Sequence, residues 1–126
     1  MSTTKKSSKP VVIAESNYLT GRLMVASLQA GGHPAVVGRD GDAIMKLLEM
    51  YDPDVLVINM NLGRPSGLEL LRTLQQRQAK LKILAAMVPG QAELKAAAGA
   101  LGVAGFFEVP FSPQDLTQRI EKLIEV

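Results

Sequence analysis

Short apolar runs rich in β-branched residues recur along this chain, and each is followed by a stretch with helical spacing. VVIA at Val11 to Ala14 is the first such run, the pattern of a strand buried on both faces. VLVI at Val55 to Ile58 and ILAAM at Ile83 to Met87 repeat it, AGFFEV at Ala104 to Val109 is a weaker version, and AVVG at Ala35 to Gly38 reads as a further strand. Between them, Leu19, Leu23, Met24, Ser27 and Leu28 stripe a first helix, and Ala43, Ile44, Leu47 and Leu48 a second. Leu68, Leu70, Leu71 and Leu74 stripe a third, Leu94 to Leu101 forms an alanine-rich fourth, and Leu116, Ile120, Leu123 and Ile124 mark the last. The punctuation agrees: Gly31-Gly32 closes the first helix, Ser66 caps the third, and Ser112-Pro113 supplies an N-cap followed by proline at the first helical position.

Five βα units predict an α/β fold, a doubly wound five-stranded parallel sheet with five helices joined by right-handed crossovers. In such sheets ligand chemistry gathers at the carboxyl ends of the strands. The informative residues are therefore Glu15, Ser16, Asn59, Met87 and Glu108 to Pro110.

At 126 residues, with 47% hydrophobic and 21% charged side chains, the chain suits one domain and excludes a two-domain enzyme. The absence of cysteine excludes disulfides, thiolate metal sites and cysteine nucleophiles, and the single His33 cannot form a multi-histidine centre. The pI near 9.0 is owed to the first ten residues. Setting aside Lys5, Lys6 and Lys9 leaves 11 basic residues against 12 acidic ones, which is too few to offer phosphates a broad basic face. Residues 1–10 are expected to form a disordered basic tail and 11–126 the folded domain, with no nucleic-acid binding by that domain. There is no signal-peptide pattern and no apolar stretch long enough for a membrane span, so the expected location is cytoplasmic, without membrane contact.

Several strings, taken in order, resemble a response-regulator receiver domain. DPDVLVINMNLGRPSGLELL from Asp52 resembles the family's phosphoacceptor strand, loop and third-helix entry. LGVAGFFEVPFSPQDL from Leu101 resembles its last strand and Lys-Pro-Phe turn, here Val109-Pro110-Phe111. The resemblance covers residues 11–126 and implies the flavodoxin-like topology with strand order 2-1-3-4-5. It also implies a cis Val109-Pro110 bond.

The family works through an acidic pair after the first strand, an aspartate ending the third, a Thr or Ser ending the fourth, and a lysine before the last turn's proline. The carboxylates hold magnesium, and the central aspartate attacks a phosphoryl group whose charge the metal and lysine offset. Matched by position, these fall on Glu15 and Ser16, Asn59, Met87 and Val109, and none of the five family residues is kept. Asn59 has a neutral amide where a nucleophilic carboxylate is required, and is expected to satisfy strand-end backbone groups instead. Glu15 alone offers too little charge to dehydrate magnesium. Met87 cannot donate to phosphate and should fill space apolarly, and Val109 removes the cation. The family's switch aromatic falls on Phe106, which has a ring but no hydroxyl. This constellation resembles a degenerate receiver, or pseudo-receiver, with no catalytic residue, metal or cofactor.

A lone buried carboxylate is costly, so Glu15 is expected to have a partner, and Arg64 in the loop after the third strand is the candidate cation. Other motifs carry less. GALGVAG at residues 99–105 lies between a helix and a strand, the reverse of a dinucleotide loop. AESNYLTG puts Glu15 where a flavin phosphate would sit. His33 reads as solvated surface, and Asp40-Gly41-Asp42 as helix capping rather than a calcium loop.

In the receiver family the fourth helix, last strand and last helix form the usual dimer and target surface, placed here on Ala97, Leu101, Phe106 and Phe107. The leading expectation is a non-enzymatic signalling module working through a signalling kinase, an output domain, a target protein or a second copy of itself. Two alternatives are a small-ligand module using a cleft lined by Glu15, Asn59, Met87 and Val109, and residual phosphotransfer at another group. The ending after the fifth helix fits both a single-domain protein and a piece of a longer regulator.

Overall fold

A computed structural model of the protein describes residues 9–76 and 80–124. The chain alternates β1 (Val11–Ala14), α1 (Tyr18–Ala30), β2 (Ala35–Gly38), α2 (Gly41–Tyr51), β3 (Val55–Asn59), α3 (Gly67–Gln75), β4 (Lys82–Met87), α4 (Ala92–Ala100), β5 (Gly105–Glu108) and α5 (Pro113–Ile124). The strands form one parallel sheet in the order β2-β1-β3-β4-β5. This is the doubly wound parallel sheet that the sequence pattern predicts, in the flavodoxin-like strand order that the family resemblance implies.

The apolar runs explain why the sheet is covered on both sides. Because successive strand residues face opposite ways, Val12, Ala14, Leu56, Ile58, Ile83, Ala85 and Met87 enter one core, which α2, α3 and α4 close through Ile44, Leu71 and Ala98. Val11, Ile13, Val55, Val57, Leu84, Ala86 and Phe107 enter the other, closed by α1 through Met24 and Leu28 and by α5 through Leu116 and Ile120. The reversal of strand order between β1 and β3 places the ends of these two strands side by side.

Helix starts are fixed by side-chain caps. Asn17 accepts from the Thr20 N–H, Asp40 from Ala43, and Ser112 from Asp115. Ser66 and Glu69 form a reciprocal capping box at α3. Gly67 follows that cap because a Cβ there would lie 2.8 Å from Met60 Cα and 2.9 Å from its carbonyl oxygen. The loop after β3 therefore folds tightly onto the start of α3.

Four expectations are corrected. Leu19 and Leu23 do not face the core: they are 65% and 52% exposed, while Gly21, Met24 and Leu28 form the buried face of α1. Apolar spacing along a helix cannot say which of two stripes meets the sheet. His33 is buried, and its Nε2 lies 2.9 Å from Glu121 Oε2, because the α1–β2 turn tucks beneath α5. Phe107 belongs to the core beside α5, at 2% exposure, and forms an edge-on ring pair with Phe111 at 6.2 Å. Lys9, assigned above to the tail, lies 3.9 Å from Asp52 and 3.7 Å from Asp54. Residues 1–8 of that tail fall outside the described residues.

Leu56→Ala should destabilise the domain by about 2–5 kcal/mol, the usual cost of a cavity at a fully buried leucine. Urea denaturation followed by circular dichroism measures it, and a loss below about 1 kcal/mol would contradict the packing described.

Candidate functional site at the carboxyl ends of the strands

Glu15 extends β1 by one residue, its N–H donating to the Gly38 carbonyl at 3.1 Å. That register carries its side chain under α1, where Gly21 would place a Cβ 3.6 Å from Glu15 Cγ and 3.2 Å from Val37 Cγ2. The result is a carboxylate only 1% exposed. It is not left alone: Oε1 accepts from Asn59 Nδ2 at 2.7 Å, and Oε2 accepts from the Asn17 backbone N–H at 3.0 Å. A buried carboxylate needs donors, and bonds to a charged group are worth about 1.5–3 kcal/mol each.

Asn59 closes β3 and bridges two loops. Its Oδ1 accepts from the Asn61 N–H at 2.9 Å, which leaves the amide nitrogen to face Glu15. Asn61 then pairs with Gln91 in both directions: Asn61 Nδ2 donates to Gln91 Oε1 at 3.3 Å, and Gln91 Nε2 donates to Asn61 Oδ1 at 3.1 Å. Gln91 Oε1 also accepts from the Val88 N–H at 3.3 Å. A continuous chain of hydrogen bonds thus ties the loops after β1, β3 and β4 together. Asn17, Asn61 and Gln91 were missed in the sequence reading. The available signal was the Asn59-Met60-Asn61 spacing, which returns a second amide to the same side two residues on.

The remaining residues do not converge on this pair. Met87 is buried in the α2–α3–α4 core, whereas Val109 packs on the opposite core beside α5 and donates its N–H to the Met87 carbonyl at 3.0 Å. Ser16 is exposed. The Val109-Pro110 bond is cis, and so is Arg64-Pro65.

Arg64 is not the partner of Glu15. It is exposed, in a loop held toward α2, where a Cβ on Gly41 would meet Pro65 Cδ at 2.9 Å. The physical reason is that Asn59 and the start of α1 already satisfy both carboxylate oxygens. The donor set does not fit magnesium either. Its one carboxylate is committed to an amide and a backbone N–H, and among the described residues no three His, Cys, Asp or Glu side chains cluster to hold a metal. The sequence-predicted ligand cleft is not a single space. The cavity of about 580 Å³ beside α4 and α5 takes in Met87, Gln91, Lys95 and Phe106, but not Glu15, Asn59 or Val109.

Beyond the mouth, Arg39 stacks 4.0 Å above the Tyr18 ring, and Arg22 Nη1 donates to the Tyr18 hydroxyl at 3.0 Å. The Arg22 hydrogen bond, with its positive charge and that of Arg39, favours the phenolate and lowers the Tyr18 pKa below the usual tyrosine value.

The sheet topology and the polar cluster where β1 and β3 diverge define a class of domain, and the sequence assigns it. Residues 11–121 match the response regulator receiver domain, and the chain belongs to that family. It is 22% identical over 116 residues to the alkaline phosphatase synthesis transcriptional regulatory protein PhoP of Bacillus subtilis, covering 92% of this chain and 48% of that protein. It is 25% identical over 114 residues to the aerobic respiration control protein ArcA of Escherichia coli, covering 90% and 48%. The chain spans about half the length of these relatives. Among solved structures, the receiver domain of NtrX from Brucella abortus superposes with a TM-score of 0.87 at 21% identity, covering 92% of this chain and 98% of that one. The chemotaxis protein CheY4 of Vibrio cholerae gives 0.85 at 19% identity, covering 94% and 100%.

Two measurements check the site. In a double-mutant cycle, Glu15→Ala and Asn59→Ala should show a coupling of about 1–3 kcal/mol, and additive effects would remove the bond from the account. With Tyr51→Phe leaving Tyr18 as the only tyrosine, Arg22→Ala should move the phenolate absorbance midpoint to higher pH.

Proposed function

We propose that this domain is an atypical receiver of two-component signalling that acts by protein contact, without phosphorylation of its strand-end residue. One observation carries the reading: at the end of β3, where the family keeps a nucleophilic aspartate, Asn59 presents an amide that donates to Glu15. An amide in that role is not a phosphoryl acceptor, and the carboxylate beside it is spent as a hydrogen-bond acceptor. Met87 and Val109 in opposite cores support the same reading, since neither supplies the hydroxyl or the cation that phosphoryl transfer requires.

The contact surface in this reading is the face of α4, β5 and α5. Only Ala98 of α4 is fully buried. Ala97, Leu101 and Phe106 are half-buried, Lys95 lies 5.2 Å over the Phe106 ring, and Val88 is exposed. Arg119 steadies the face by donating to the Phe106 carbonyl at 2.6 Å while pairing with Asp115. The partner is a signalling kinase, an output domain, a target protein or a second copy, met in the cytoplasm, and the domain itself binds rather than catalyses. Among the described residues no helix is long and apolar enough to cross a membrane.

Incubation with radiolabelled acetyl phosphate and millimolar magnesium tests the reading. No label should enter the natural protein, and Asn59→Asp alone should not restore labelling, because the hydroxyl and lysine positions remain Met87 and Val109. An acid-stable, base-labile phosphoprotein from the natural chain would overturn the proposal.

A further inference from the structure

β2 is an edge of the sheet, and its outer side has no neighbour strand. Val11 donates to the Pro34 carbonyl and Glu15 to the Gly38 carbonyl, so by the two-residue alternation of a strand Pro34, Val36 and Gly38 face β1. Ala35 and Val37 therefore turn their N–H and C=O groups outward, where none of the described residues pairs with them. Alongside this edge runs a groove of about 370 Å³, lined by Arg22, Val25, Ala26 and Gln29 of α1 and by Val36 and Val37 of β2. Unpaired strand groups beside a groove are a template for one more strand.

We propose that the β2 edge takes up an extended segment of a partner protein, acidic where it meets the end of β2 and apolar two residues further along the groove. Charge selects this occupant. A Cβ on Gly21 would lie 3.2 Å from Val37 Cγ2, so the start of α1 stands beside the end of β2. There the Arg39 and Arg22 guanidiniums lie 4.0 and 5.6 Å from the centre of the Tyr18 ring. Among the described residues neither arginine has a carboxylate partner, and the adjacent Asp40 is occupied in accepting from the Ala43 N–H. Two positive charges gathered at one end of a groove favour an anionic side chain there. Beyond them Val25 and Ala26 offer only apolar surface, and the far end closes on the uncharged Gln29.

Other occupants fit less well. Residues 1–8 contain lysines and no acid, so they do not complement the arginines. A second copy's β2 is AVVG between Pro34 and Arg39, which brings another arginine to the edge and no carboxylate. Because β2 has only four residues, the ladder it offers is short, and the complex is weak and dependent on the arginines. The inference goes beyond the signalling role above: it uses β2 and α1 and leaves α4, β5 and α5 free for a target.

The experiment uses the full chain and fluorescein-labelled peptides of about eight residues, a strand's length, built of alternating valine and threonine. One peptide carries a pair of glutamates at its amino end, a second carries them at its carboxyl end, and control peptides have lysines instead. Fluorescence anisotropy should show one glutamate peptide binding below about 1 mM and its lysine counterpart not binding. Arg39→Ala and Ala26→Glu, at exposed positions and with the fold verified by circular dichroism, should each weaken binding at least about fivefold. Amide hydrogen exchange followed by NMR separates strand addition from simple charge attraction. With the peptide bound, exchange at the Ala35 and Val37 amides should slow by at least about tenfold. No binding by either glutamate peptide, equal binding by a lysine peptide, affinity indifferent to both substitutions, or binding that leaves those two amides unprotected would each overturn the proposal.

Discussion

A strand with apolar side chains on both faces has nowhere to meet water, and in this protein that constraint organises everything else. Val11 to Ala14 and Val55 to Ile58 are buried along their whole length, so a helix layer is required on each side of the sheet. Parallel pairing forces a crossover between successive strands, and the handed crossovers distribute α1 and α5 to one face and α2, α3 and α4 to the other. The same winding sends the loops after β1, β3 and β4 to one end of the sheet, so residues far apart in the chain arrive together there.

At that end a second constraint takes over. Glu15 is carried beneath α1 by the β1 register, and a carboxylate without water must find donors or lose its charge. Asn59 and the Asn17 N–H supply them, and the remaining half of the Asn59 amide passes the connection on to Asn61 and then Gln91. Each bond is modest, but the chain spans three loops that have no other side-chain tie of this kind among those described. In a phosphorylatable receiver this end of the sheet responds to chemistry. Here its polar groups are engaged with one another, Glu15 with Asn59, and Asn61 with Gln91.

The family relationship and the site departures belong to different scales of the same molecule. The receiver fold is held by some two dozen buried apolar residues, with at least one on every strand, and such a core tolerates wide changes in identity as long as volume and pattern persist. The strand-end chemistry depends on a handful of positions, where exchanging a carboxylate for an amide or a lysine for valine alters what the site can do without touching the core. That asymmetry lets a chain about one-fifth identical to solved receivers keep a TM-score above 0.8.

Much of this was legible in the chain. The apolar runs, the helical stripes and the caps at Ser66, Asp40 and Ser112 are local, and local spacing determines element type and order because side chains within one element need no distant partner. The matched positions of Asn59, Met87 and Val109 were equally readable. What the sequence did not determine was which groups would meet. Arg64 is nearer to Asn59 along the chain than Glu15 is, yet the β1–β3 pairing brings the carboxylate and the amide together and leaves the guanidinium outside. His33, flanked by glycine and proline, became buried only because α5 returned over it with Glu121, 88 residues later. Leu19 and Leu23 share the spacing of a core stripe, and only the docking of α1 through Gly21, Met24 and Leu28 decided that they face outward. Local order follows from the covalent neighbourhood, whereas burial and partnership depend on which distant elements the closed sheet sets side by side.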